Sequence, residues 1–142
     1  MSDYFSSAEI EKIIGYNYDL LRKRNEKFEE VERDILETIF STVNSYGNTA
    51  TDKRSTIIKK TSVIIGVITW AQPFFDGNKE TAIAVGVLFL YRNGYDLLLE
   101  KCKEPLYNLL QKTMKKPHKD KTLYSEIEVF LDKNVITKTK EY

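Results

Sequence analysis

The chain has 142 residues, of which 42% are hydrophobic and 30% are charged, and its formal net charge is +1. This length suits one domain of about 100 to 150 residues, and the composition is that of a folded globular protein rather than a disordered one. The small net charge excludes a general electrostatic attraction to nucleic acid or to an anionic membrane. We therefore treat residues 1–142 as a single domain and look for partners in local features.

Cysteine content and the N-terminal sequence bear on where the protein resides. Cys102 is the only cysteine, which excludes an internal disulfide and a zinc cluster built from cysteines. The first residues lack the basic start and apolar run of a signal peptide, and no stretch approaches the roughly 18 apolar residues that a membrane span needs. We therefore expect a cytoplasmic protein with no membrane-spanning segment.

The N-terminal third predicts two amphipathic helices. A capping-box sequence at residues 6–9 precedes apolar residues at three- and four-residue spacing, which indicates a first helix over about residues 7–24. The same spacing recurs over residues 31–43 and stops at Tyr46-Gly47-Asn48, which marks the end of a second helix. The small and polar residues 47–53 then predict an exposed loop.

The central part of the chain predicts two long, mostly apolar helices. The pattern over residues 53–71 begins amphipathic and becomes almost wholly apolar, which is typical of a helix in the middle of a bundle. A buried strand is the alternative for this run, but its length favours a helix. The breakers in Gln72-Pro73-Phe74-Phe75-Asp76-Gly77-Asn78 end it, and residues 79–92 resume as another apolar helix closed by Asn93-Gly94.

The C-terminal third predicts two further helices and a basic linker. Amphipathic patterns cover residues 97–112 and 123–133, and the lysine-rich residues 115–121 between them contain the only histidine, His118. A charge run without interleaved aromatic residues is usually solvated surface, so nucleic-acid binding is not expected. The whole chain predicts an all-α fold, a compact bundle of about six helices whose two central helices are joined by the loop at residues 72–78.

This loop has the composition of an anion site. At the start of a helix about four backbone amides lack intrahelical partners, and the end of the helix dipole there is positive. Gly77 permits the close backbone approach that a phosphate needs, Lys79 adds a positive charge, and Asn78 can hold either the loop or a ligand oxygen. Asp76 can hold a hard cation such as Mg²⁺. The alternative is a plain interhelical turn in which Asp76 or Asn78 caps the helix.

The same segment resembles the signature of the Fic/Doc family. Residues 71–82 read Ala-Gln-Pro-Phe-Phe-Asp-Gly-Asn-Lys-Glu-Thr-Ala, which is similar to the family motif His-Pro-Phe-x-Asp-Gly-Asn-Lys-Arg-Thr-Ala. The following Val87-Leu88-Phe89-Leu90 and Asn93-Gly94-Tyr95 resemble the residues that trail the motif in the Doc branch. The resemblance covers about residues 7–100 and leaves residues 101–142 for the C-terminal helices and the basic linker.

The resemblance implies a nucleotide-dependent transfer reaction. Most Fic proteins transfer AMP to a hydroxyl of a target protein, and Doc toxins transfer a phosphoryl group to a translation elongation factor. By this resemblance Asp76 would hold Mg²⁺, and Gly77, Asn78 and Lys79 would bind the phosphates of ATP or another nucleotide. Doc-type toxins are held by an antitoxin that folds over the cleft, so a protein target or an antitoxin-like partner is expected by analogy.

Two positions depart from the family motif in ways that affect catalysis. The histidine that takes the hydroxyl proton is replaced by Gln72, and loss of a positioned base usually lowers the rate by a factor of about 100 to 10,000. The arginine that pairs with phosphate is replaced by Glu80, whose carboxylate suits the positive end of the helix dipole but repels a phosphate. Neither His118 in the linker nor Lys79 beside a phosphate is a good substitute base.

These departures leave two hypotheses. The first is a catalytically impaired Fic/Doc relative that binds a partner or a ligand at the family's cleft. The second is an active transferase of altered chemistry that uses a Mg-nucleotide, as the toxin of a toxin–antitoxin pair, with Gln72 orienting the acceptor. For the aromatic residues at the loop, namely Trp70, Phe74 and Phe75, we expect core packing rather than stacking on a nucleobase.

Overall fold

A computed structural model describes residues 7–27, 31–45, 52–114 and 121–138. Within these residues the chain forms six helices and one small sheet, in the order α1 Ser7–Lys23, α2 Arg33–Ser45, α3 Lys53–Ala71, α4 Asn78–Arg92, β1 Tyr95–Leu97, α5 Leu99–Met114, α6 Lys121–Asn134 and β2 Val135–Thr137. The predicted all-α fold class is confirmed, and the helix bounds agree with the sequence predictions within a few residues. Most of the predicted loop at 47–53 and of the basic linker, His118 included, lies outside the described residues.

Helices α3 and α4 form the centre of the bundle, as predicted. α3 begins after Asp52, whose backbone is extended. Its carboxylate accepts a hydrogen bond from the Ser55 amide at 2.8 Å and so satisfies one of the first free amides of the helix. Four helices contact α3, namely α2, α4, α5 and α6, so burial extends around most of its circumference. This surrounding contact explains why its second half is apolar on all sides.

The close approach of α3 and α4 depends on Gly86. A Cβ atom at this position would lie 2.6 Å from Cδ1 and 2.7 Å from Cγ1 of Ile65, which is too close for any real side chain. Ile65 is itself only 1% exposed, so it has little room to move away. The glycine in the middle of α4 therefore sets the spacing of the central pair.

A two-stranded antiparallel sheet joins the segment after α4 to the segment after α6. Asp96 in β1 lies opposite Ile136 in β2, and the Lys138 amide donates to the Gly94 carbonyl oxygen at 2.9 Å. The sequence analysis did not predict these strands. Each has only three residues, which is too short for an alternating pattern to stand out from the neighbouring helical patterns. The helix predicted from residue 97 accordingly begins at Leu99.

The remaining helices cover the central pair from outside. α6 lies along α3, where Arg54 pairs with Asp132 at 2.6 Å, and α1 lies against α4. Trp70, near the end of α3, is 8% exposed and its ring centroid is 6.3 Å from that of Tyr124, so its expected core position is confirmed. None of the helices in the described part of the chain combines the length and apolarity of a membrane span.

We expect Gly86→Ala to destabilise the protein, although alanine is the better helix former, because α3 and α4 pack too closely at Gly86 for a methyl group. The new methyl group has to displace the buried Ile65 side chain, so we expect a loss of about 1 to 3 kcal/mol in the free energy of unfolding, measured by urea denaturation. Adding Ile65→Val, which removes the Cδ1 atom, should recover part of the loss.

Gly15→Ala in α1 is the matched control, because a Cβ atom there meets nothing within 4 Å. It should gain about 0.5 to 1 kcal/mol from lower backbone entropy in the unfolded chain. Equal changes for the two alanine variants would contradict the role assigned to Gly86.

Candidate functional site

The loop between α3 and α4 begins in a costly backbone conformation. Gln72, at the base position of the family motif, caps the C-terminus of α3 with φ 51° and ψ 60°. This left-handed region is unfavourable for residues other than glycine, but the Gln72 amide still donates to the Ile68 carbonyl oxygen at 3.2 Å. Gln72 is exposed, so its amide side chain lies at the protein surface.

The middle of the loop is fixed by Asn78, the first residue of α4. Its Oδ1 accepts a hydrogen bond from the Phe74 amide at 3.1 Å, and its Nδ2 donates to the Phe74 carbonyl oxygen at 3.0 Å. Phe74 is 3% exposed, which confirms its expected role as a buried anchor. Of the two roles expected for Asn78, holding the loop is therefore the one that these contacts support.

Gly77 precedes α4 at a position that needs a positive φ and has no room for a side chain. Its φ of 71° is a conformation that side chains disfavour, and a Cβ atom would lie 3.0 Å from Leu20 Cδ2 and 3.3 Å from Asn17 Nδ2. The buried Asn17 of α1 donates to the Asp76 carbonyl oxygen at 2.8 Å and to Thr81 Oγ1 at 3.1 Å. The end of α1 therefore lies directly under the loop and holds it in place.

The predicted anion site already holds an anion of the chain itself. The Gly77 amide donates to Oδ1 of Asp76 at 2.7 Å, so the carboxylate that the motif assigns to Mg²⁺ occupies a backbone amide at the start of the helix. This contact is a short, charge-assisted hydrogen bond at the positive end of the α4 dipole. A phosphate that used the same amide would have to displace Asp76.

Glu80, at the arginine position of the motif, is paired with Arg24. Arg24 Nη2 lies 2.7 Å from Glu80 Oε2, and the Arg24 and Glu80 side chains are 39% and 17% exposed, respectively. The hydrogen bond that Arg24 donates to Glu80, together with the negative charge of Glu80, raises the pKa of the Arg24 guanidinium. A guanidinium is thus present beside the start of α4, but it comes from the turn after α1 and is neutralised by the glutamate.

A second carboxyl, Glu26, faces Asp76. Its Oε2 atom is shielded from solvent and has no hydrogen-bond partner among the described residues. The hydrogen bond to Asp76, partial burial and the nearby negative charge raise the pKa of Glu26. The same hydrogen bond, together with the Gly77 amide, lowers the pKa of Asp76. Of the two carboxyls, Glu26 is therefore the one whose charged form is disfavoured in the fold.

Lys79 is directed toward α5. Its Nζ lies 5.8 Å from the centroid of the Tyr107 ring, within the range of a cation–π contact. Burial and the negative charge of Glu80 raise the pKa of the half-buried Tyr107 hydroxyl. The site therefore extends from the end of α1 across the loop to α5. It contains two cations, Arg24 and Lys79, and three carboxyls, those of Glu26, Asp76 and Glu80.

Phe75 departs from the sequence prediction. It is 60% exposed, so the expectation that it packs in the core is wrong. The Asn78 side chain holds the main chain of Phe74 in a position where the Phe74 ring is buried. Phe75, the next residue, then points outward. An exposed phenyl ring therefore stands in the same loop as the exposed Gln72 and Asp76.

Arg24 and Glu26 were missed by the sequence analysis. Both lie in the polar run after α1, where charged residues usually have no specific role. Their positions became meaningful only when the fold brought residues 24 and 26 against residues 76 to 80. The sequence signal for these two residues is a pair of opposite charges, two residues apart, directly after a helix.

Metal binding at Asp76 would need help from a ligand. Among the residues that the structure describes, no group of three or more acidic, histidine or cysteine side chains is arranged to hold a metal ion. Mg²⁺ is often held by one or two carboxylates together with nucleotide phosphates. The residues present thus fit Mg²⁺ only as part of a nucleotide complex, with Asp76 and Glu26 as the available carboxyls.

Comparisons with family models, curated proteins and solved structures found no significant match. The resemblance to the Fic/Doc family therefore rests on the motif residues and their place between two central helices. Its functional meaning has to be judged from the contacts at the site.

Substitution by alanine should change the stability of the protein strongly at one phenylalanine of the loop and hardly at the other. Phe74→Ala removes a fully packed ring and should lower the free energy of unfolding by about 3 to 5 kcal/mol. Phe75→Ala removes an exposed ring and should stay within about 0.5 kcal/mol of the natural protein. Chemical denaturation checks both values, and a large loss for Phe75→Ala would show that its ring is buried after all.

Removing the charge of Glu26 should stabilise the protein at neutral pH. A raised folded-state pKa means that Glu26 favours folding when protonated and that this contribution is lost as the pH rises through the raised pKa. Glu26→Gln supplies an N–H donor to Asp76 without the charge, so its thermal midpoint should exceed that of the natural protein at neutral pH. The difference should shrink below the ordinary glutamate pKa of about 4.3.

Glu37→Gln, on the exposed face of α2, is the matched substitution away from the site. It should leave the pH dependence of stability close to that of the natural protein. The same pH profile for both glutamine variants would contradict the raised pKa of Glu26.

Proposed function

We propose that this chain is a catalytically impaired Fic/Doc-like protein that acts by binding a partner at the loop between α3 and α4. The observation that carries the proposal is the internal occupation of the anion site. The Asp76 carboxylate accepts from the Gly77 amide, and Glu80 stands paired with Arg24 where the motif has a phosphate-binding arginine. A nucleotide would meet a carboxylate at each of these two points.

The carboxylates at the loop oppose the binding of a phosphate. Two unit charges 4 Å apart interact by about 1 kcal/mol in water and by about 4 kcal/mol near a protein surface, so a carboxylate beside a phosphate weakens binding substantially. Glu80 is mostly shielded from solvent, which reduces screening by salt. Gln72 adds a separate loss, because its side chain has no titratable group to accept a proton.

The surface left by this arrangement suits a protein partner. Phe75 exposes most of its ring, and the neighbouring Gln72 presents an uncharged amide that both donates and accepts hydrogen bonds. Exposed aromatic rings contribute strongly to protein interfaces when they enter a pocket on the partner. An antitoxin-like protein or a former target of the family's reaction is the class of partner that the resemblance suggests.

Calorimetric titration with ATP, GTP and a non-hydrolysable analogue, each with Mg²⁺, tests the proposal. The natural chain should give no binding heat. Glu80→Arg should restore nucleotide binding, because it places a cation at the motif position and releases Arg24 from its ion pair. The double variant Gln72→His, Glu80→Arg should bind similarly and should also transfer labelled phosphate or AMP to protein.

Glu37→Arg supplies the matched charge reversal on α2 and should remain silent in the same titrations. Micromolar binding of Mg-ATP or Mg-GTP by the natural chain would refute the proposal. Since Glu80→Arg changes one residue of the site, a gain in that variant alone identifies Glu80 as the block.

An active transferase of altered chemistry is the second candidate, and Glu26 favours it. The fold brings this carboxyl to Asp76, so an acid–base group is present at the loop although the motif histidine is missing. Label transfer from a nucleotide to protein by the natural chain, lost in an Asp76→Ala variant, would support this candidate over the first.

A further inference from the structure

The start of helix α5 exposes two adjacent leucines. Leu98, directly before the helix, is 46% exposed, and Leu99, its first residue, is 37% exposed. Val87 of α4 lines the same depression as these leucines and is only partly buried. Single exposed hydrophobic residues are common on protein surfaces, whereas adjacent ones that line a depression are typical of binding sites. These three side chains therefore form an apolar patch between α4 and α5.

Two depressions meet at this patch. One has a volume of about 480 Å³ and follows α5 from Leu99 to Tyr107. The other has a volume of about 420 Å³ and lies between Val87 and the first residues of α5. Leu99 and Glu100 line both depressions, so the two join into one groove, which we call the α5 groove. Lys79 contacts the Tyr107 ring, so the α5 groove ends beside the loop between α3 and α4.

The α5 groove is acidic. Two carboxylates and one ammonium group line the depression along α5, namely those of Glu100, Glu104 and Lys103. The other depression has the same ratio, with Asp96, Glu100 and Lys101. The whole chain carries a formal net charge of +1, so the groove differs in sign from the protein as a whole. A local field of this sign attracts cationic groups.

The carboxylates along α5 are available to a partner. Glu100, Lys103 and Glu104 are exposed, and none of them forms an ion pair within the part of the chain that the structure describes. Glu100 and Glu104 lie one helical turn apart, where like charges repel each other. Cations from a partner at these two carboxylates therefore remove a repulsion in addition to forming ion pairs.

We propose that the α5 groove binds an amphipathic helix of a protein partner, with apolar side chains on one face and two lysine or arginine side chains one turn apart beside them. The apolar side chains cover Leu98, Leu99 and Val87, and the two cations pair with Glu100 and Glu104. These two carboxylates are four residues apart, about 6 Å along the helix axis, and residues i and i+4 of a partner helix have the same spacing. Docking of an apolar helix face into a groove is a common mode of recognition. The inference rests on the proposed function in assigning this helix to the partner that binds the loop.

Binding of two synthetic peptides tests the chemistry of the partner helix. Each peptide has about 18 residues, which is long enough to form a helix, and carries leucines on one face. One peptide has lysines at positions i and i+4 beside the leucines, and the other has glutamates at the same positions. In fluorescence anisotropy titrations of the natural chain, the basic peptide should bind about tenfold more tightly than the acidic one, or better.

Matched substitutions test the place of binding. Glu104→Lys should weaken binding of the basic peptide by about tenfold, because it replaces an attractive contact by a repulsive one. Glu37→Lys changes the net charge of the chain equally but lies on the exposed face of α2, so it should leave the affinity unchanged. Leu99→Ala should also weaken binding, whereas Val129→Ala, at an exposed position on α6, should not. Circular dichroism of each variant checks that the fold is retained.

The proposal is overturned when the natural chain binds neither peptide, binds both equally, or loses affinity to the same extent in Glu104→Lys and Glu37→Lys. The peptides cover only the α5 groove, so Phe75→Ala should bind the basic peptide as the natural chain does. A loss of affinity in Phe75→Ala would place the peptide at the loop and would also contradict the proposal. Nucleotide titration tests the proposed function separately, so failure of the peptide test leaves the function proposed for the loop in place.

Discussion

The hydrogen-bonded ring between the Asn78 side chain and the Phe74 main chain is the constraint on which the rest of the site depends. It closes the loop, buries the Phe74 ring under α4 and turns the next residue outward. It also fixes the start of α4 at a position where only glycine fits between the loop and α1. Buried polar groups left without partners are costly, so a side chain that satisfies both a donor and an acceptor stabilises this one conformation strongly.

Once the loop is fixed, electrostatics decides what it can hold. The start of a helix attracts an anion, and here the nearest anion is the Asp76 carboxylate, tied to the Gly77 amide. The Glu26 carboxyl lies beside Asp76, so the pKa of Glu26 is raised and that of Asp76 is lowered, and Arg24 neutralises Glu80. The Gly77 amide and the Arg24 guanidinium are thereby both paired with carboxylates of the protein itself. The contacts also bind the turn after α1 to α4, so they serve the fold as well as the site.

The fold was largely predictable and the site only in part, for a physical reason. Helices can be predicted from the local spacing of apolar residues. The apolar run over residues 53–71 was correctly predicted as a helix rather than a strand because of its length. The three-residue strands had no comparable signal, because pairing between Tyr95–Leu97 and Val135–Thr137 joins segments far apart in sequence. Arg24 and Glu26 were missed for the same reason, because their partners lie fifty or more residues away in the sequence. Phe75 was misplaced because adjacent aromatic residues look alike until the loop geometry selects one of them.

The contacts of Gly77 and Glu80 affect a nucleotide and a protein partner differently. A phosphate must displace a charge-assisted hydrogen bond at Gly77 and approach the shielded Glu80 carboxylate, and each step opposes binding. A protein partner that covers Phe75 disturbs neither contact and gains roughly 25 cal/mol for each Å² of apolar surface removed from water. Gln72, held at the surface at the end of α3, can add hydrogen bonds in either direction without a change of protonation. We propose that glutamine and glutamate at the histidine and arginine positions of the motif lower the affinity for anions, while the exposed apolar ring favours a protein over a nucleotide as the ligand of this loop.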